Sequence, residues 1–178
     1  MRSPLCFSAI LICLLCATPM LAQKVKREPL TEVEVDEIRE AGIDPAERVK
    51  LYTKFLGEHA DSIKGLTNRA KSRARSSRLD NELQDFTALM DELGSNLDMY
   101  SERKADMRMA LKPLNEATQR WLEILRALAG EPGFDLARKE SIESCRDLSD
   151  QAARLLTEQT DYFNQHKDEQ GQQRAEPK

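Results

Sequence analysis

Beyond residue 22 the sequence has a single cysteine, Cys145; Cys6, Cys13 and Cys16 all lie earlier. One thiol cannot close an internal disulfide, which excludes a disulfide scaffold. Val and Ile are scarce, nine after residue 22, too few for the many strands of a sandwich. No later apolar stretch approaches the roughly twenty residues that cross a bilayer as a helix. Also missing are a Gly-rich phosphate loop, a Gly-x-Ser-x-Gly elbow, a Glu-x-x-His pair and a Cys-x-x-Cys-His motif. Without them the sequence offers no signal for nucleotide, esterase, di-iron or haem chemistry. No Asn-x-Ser/Thr sequon follows residue 22, which suits a bacterial periplasm slightly better than a eukaryotic exterior.

The one long apolar run comes first. Residues 1–22 contain sixteen apolar residues and one charge, Arg2. Arg2, the run Leu5 to Ala17, and Pro19 before Met20-Leu21-Ala22 form the three parts of a secretory signal, with cleavage expected after Ala22. Met20 departs from the small-residue rule at the third position before the cut. A lipid-anchored precursor is excluded, since Ile12 and Leu15, not small residues, precede Cys13 and Cys16. The expected product is exported and soluble, periplasmic or extracellular. Its 156 residues carry 26 basic and 31 acidic side chains, enough for one modest core.

Within that product residues 23–29 read as a flexible lead-in, 30–168 as one helical domain and 169–178 as a disordered tail. Helix ends are written in capping chemistry. Thr31 and Glu34 form a capping box, and Leu30 can staple onto Val35. Gly42 takes the left-handed conformation that ends this short helix, with Ile43 folding onto Ile38. Asp44-Pro45 starts the next one. It carries Val49, Tyr52, Leu56, Ile63, Leu66 and Ala70 on one face, with His59 in the same row. Then comes the longest pattern: Leu79, Leu83, Phe86, Met90, Leu93, Leu97, Tyr100, Lys104, Met107, Leu111, Leu114, Thr118, Trp121, Leu125 and Leu128. Steps of four and three alternate without a slip, the signature of a coiled-coil seam. Because the phase survives Gly94 and Pro113, one kinked helix over 79–128 is expected. Two shorter helices broken near residues 94–106 are the alternative. Ala129-Gly130-Glu131-Pro132-Gly133 is a turn, and a last helix from about Asp135 carries Ile142, Cys145, Leu148, Ala152, Leu155, Leu156, Tyr162 and Phe163.

The expected fold is all-α: an elongated antiparallel bundle of three main helices with a short N-terminal helix, or a four-helix bundle if 79–128 is broken. Folding at 76–78 sets Leu66 beside Met90 and Leu56 beside Tyr100. Folding at 131–133 sets Leu156 beside Met107 and Ala152 beside Leu111. A dimer covering a remaining stripe is plausible on the size of the core.

Candidate sites are few. Lys64, Arg69, Lys71, Arg73, Arg75 and Arg78 fall in a window without an acid, an anion site on one reading. On the other they form a charge-matched hairpin with Glu92, Asp85, Asp80 or Glu82. Nucleic acid is not an expected partner of an acidic, exported chain with no aromatic in that cluster. His59 and His166 both map to Leu97, with Asp98 or Glu58 near, which makes a metal site conceivable. Each is more simply a seam or a solvated histidine. Cys145, in an apolar row, reads as a small hydrophobe. Lys104 reads as a rim lysine or a register-setting polar layer. Met90, Met99, Met107 and Met109 read as core filling or as an adaptable binding surface, and Trp121 as an interior anchor. No catalytic or cofactor-binding residue stands out.

Pro29-Leu30-Thr31 opening a charged helix resembles the helix starts of small periplasmic helical chaperones and stress adaptors, with Glu34 where those carry glutamine. The likeness covers five residues. The function expected is that of an exported helical interaction or structural protein acting by protein–protein contact or self-association, without catalysis. A chaperone-like or ligand- or metal-sequestering role is the alternative.

Overall fold

The computed structural model describes residues 28–170. The expected signal, most of the lead-in and the tail from residue 171 lie outside these. Five helices form: α1 Glu32–Glu40, α2 Pro45–Thr67, α3 Arg73–Glu102, α4 Arg108–Ala127 and α5 Asp135–Gln165, followed by a 3-10 turn, Lys167–Glu169. No strand occurs among the described residues. The first two starts follow local chemistry. Thr31 and Glu34 make both halves of the capping box, and Asp44 accepts from the Ala46 and Glu47 amides, so exposed N–H groups of each first turn are satisfied. Gly42 has φ +62°. Ile43, however, is 70% exposed and does not fold onto Ile38.

Four long helices make the bundle, and α1 lies on α2. α2 packs against α3 and α4, and α5 packs against the same two, which leaves α2–α5 and α3–α4 as diagonals. Tyr52 to Glu92 and His59 to Glu82 run α2 and α3 antiparallel. Ser141 with Thr87 and Gln151 with Asp98 run α3 and α5 parallel. Met107 with Gln159 and Cys145 with Thr118 run α4 and α5 antiparallel, in the register expected from the fold at 131–133. Across the centre, Phe86 and Trp121 meet edge to face with centroids 5.7 Å apart, so rings from α3 and α4 join along the diagonal.

Two expectations need correction. The stretch 79–128 is two helices, not one. Every seam position in it is buried except Lys104, which sits at φ 53° in the link between α3 and α4. An unbroken phase did not require an unbroken helix. Two helices facing one core each carry a three-four stripe, and here the stripes happen to share a frame. The second correction concerns the first fold. The α2–α3 turn occupies residues 68–72, not 76–78, and Ala70 is exposed within it. Tyr52 therefore faces Glu92, and His59 faces Glu82, about two heptads from the expected partners.

Candidate functional site

The α2–α3 and α4–α5 turns meet at one end of the bundle. Arg75, 7% exposed, ties them together. Its Nε donates to the Leu66 carbonyl at 3.0 Å, and its Nη1 lies 3.2 Å from both Glu131 carboxylate oxygens. Lys71 approaches the same carboxylate at 3.3 Å. Burial works against the Glu131 anion, but hydrogen bonds from Arg75 and Lys71 outweigh it and hold the carboxyl below its ordinary range.

The rest of the basic cluster is different. Lys64, Arg69, Arg73 and Arg78 are exposed, and among the described residues their charged groups have no hydrogen-bond or ion-pair partner. The displaced turn explains why. Glu92 accepts from Tyr52, Glu82 faces His59 and Asp80 accepts from Gln84, so three of the acids expected to match the cluster are engaged elsewhere. α3 also opens with Arg73 and Arg75 and no acid in its first turn, which puts cations at the positive end of the helix dipole. Between Arg69 and Arg78 runs an open groove of about 370 Å³, floored by Leu66 and rimmed by Ser62, Asn81 and Glu82. Guanidinium forks around such a groove suit carboxylate recognition.

No family model, curated protein or solved structure matches the chain.

Beside the groove, His59 Nδ1 lies 2.8 Å from Glu82 Oε1, and Ser62 lines the same groove as Glu82. Burial disfavours the imidazolium, yet the Glu82 hydrogen bond and charge prevail and raise the His59 pKa. The hydrogen bond to His59 lowers that of Glu82 against a smaller opposing effect of burial.

The other predicted residues are dispersed. His166 lies at the far end of α5, stacked on Tyr162 with Nδ1 2.9 Å from the Tyr162 carbonyl. Asp98 accepts from Gln151. His59, His166 and Asp98 are thus not brought together, because the true α2–α3 register carries His59 away from Leu97. Among the described residues no group of three His, Cys, Asp or Glu is arranged to hold a cation. Cys145 is fully buried, its Sγ 3.6 Å from the Thr118 carbonyl, and burial pushes the thiol up to about 12. Met90 and Met107 are core, whereas Met109 is 80% exposed. Lys104 lies over the Tyr162 ring, 4.8 Å from its centroid. Sequence reasoning passed over Arg48, which lines a second opening beneath α1. The available signal was its four-residue spacing to Tyr52, which puts both on one face of α2.

Proposed function

We propose that the protein is an exported, non-catalytic helical interaction module that engages an acidic partner protein through the arginine-rich end of its bundle. One observation carries this reading: Lys64, Arg69, Arg73 and Arg78 stand exposed around one turn, without acidic partners among the described residues. The whole chain is acidic, at −4, so a concentrated positive end makes the molecule electrically polar. Such a pole steers an acidic surface toward one orientation. Arginine suits this duty, because its weakly hydrated planar fork is enriched where interfaces bury charge. Export rests on residues 1–22. Among the described residues no helix is long and apolar enough to cross a membrane.

A photo-crosslinking amino acid at exposed Ser77 tests the reading in cells that make the protein. A discrete protein adduct is expected from position 77 and not from Lys112, near the start of α4. The adduct is expected to fade with salt and to vanish in the folded triple variant Arg69→Ser, Arg73→Ser, Arg78→Ser. Adducts equal at both positions, or indifferent to the triple change, would refute it.

A further inference from the structure

At the opposite end of α2, a second site is built from different residues. α1 covers an opening of about 370 Å³ walled by Leu30, Val35 and Ile38 on one side and by Arg48, Tyr52 and Glu92 on the other. That space equals about twelve waters at roughly 30 Å³ each, within the size range of small-molecule sites. The polar wall is ordered by spacing. Arg48 and Tyr52 are four apart on α2, and Glu92 faces them from α3. The Tyr52 hydroxyl donates to Glu92 at 2.6 Å. One donor of the wall has nothing to bond: the Arg48 Nε is buried with no partner among the described residues.

Leaving such a donor unpaired in a folded core is costly and rare. A guanidinium donor of this kind beside an apolar-walled opening asks for an oxygen anion. We propose that this opening binds a small amphiphilic monocarboxylate, its head held by Arg48 and its hydrocarbon body laid on Leu30, Val35 and Ile38. Charge selects among anions. Arg48 supplies one positive charge and the Glu92 carboxyl group lines the same opening, so a single negative charge is accommodated better than the double charge of a phosphate monoester. Arg39, also at the rim, already pairs with Asp36. The covering element suits entry, since α1 has nine residues and buries only Ile38.

Octanoate, titrated into the purified protein by calorimetry, tests this. One octanoate per chain is expected, with octanol and octyl phosphate each at least tenfold weaker. Arg48→Met is expected to weaken octanoate at least tenfold and to leave octanol unchanged. Its melting temperature should hold or rise, because the buried Arg48 Nε has no hydrogen bond to lose among the described residues. Should that variant not fold, Val35→Asp, at a partly exposed position of the apolar wall, supplies the test through a loss of threefold or more. No binding of octanoate to the folded protein would overturn the proposal, as would equal affinity in the Arg48 variant or a preference for octyl phosphate. The site shares no residue with the arginine-rich end, so either can fail without the other.

Discussion

The side-chain amide of Gln159 accepts a hydrogen bond from the Met107 backbone N–H at 2.9 Å, and its own NH₂ donates to the Ala105 carbonyl at the same distance. One buried side chain from α5 thereby satisfies both sides of the α3–α4 link, as a neighbouring strand would. This bond pair stops the seam from continuing as helix, since the link's own polar groups are answered from outside. Gln159→Leu keeps the volume and removes both partners. The expected loss is about 2–4 kcal/mol, the cost of two unsatisfied buried backbone groups, read as a lower midpoint in urea.

Lys104 is the one non-glycine residue with positive φ among those described. An L-residue there gives up about 1–2 kcal/mol relative to its preferred backbone, and the exposed contact with Tyr162 returns only part of that. Lys104→Gly is therefore expected to be neutral or stabilising by up to about 1 kcal/mol, whereas β-branched Lys104→Ile loses stability. A gain with Ile in equilibrium unfolding would contradict the conformation assigned to the link.

How far the sequence could be read follows from where each feature is encoded. The starts of α1 and α2 were legible because Thr31, Glu34, Asp44 and Pro45 act within one turn of themselves. The seam was legible because burial obeys helical period: each of its apolar residues is buried. The α2–α3 register was not. A heptad stripe slid by two heptads still sets apolar on apolar, so the match of Leu56 with Tyr100 tested nothing. The charge matching failed with it, and the uncompensated arginines became visible only once the turn was placed at 68–72. The break at Lys104 was hidden because its cause, Gln159, lies more than fifty residues away. Arg48 was hidden for a related reason: lacking a partner is a property of the fold.

His59 and Glu82 give the molecule a pH signature whose sign can be worked out. The raised His59 pKa means its contribution is complete below 6.5 and is lost as pH climbs through the raised value. The lowered Glu82 pKa means its contribution is complete above 4.5 and is lost as pH falls through the lowered value. Both contributions are whole between those limits. Melting temperature is expected to decline as pH rises above 6.5 through the raised His59 value, and His59→Gln is expected to flatten that decline. An unchanged slope in the variant would assign the decline to other groups.

Cys145 should behave as hydrocarbon until the bundle opens. Its thiol is fully buried, and burial raises its pKa to about 12, so at neutral pH the nucleophilic thiolate is nearly absent and out of reach. For the chain from Gln23, a thiol reagent is expected to leave the native protein untouched and to label one equivalent in guanidinium. Elution on sizing is expected to be the same with and without reductant, since a disulfide between copies would require Cys145 to leave the α4–α5 interface. Cys145→Ala should cost about 1 kcal/mol for the small cavity it leaves, while a reductant-sensitive dimer in native buffer would place the thiol at the surface and contradict the packing of Cys145 on Thr118.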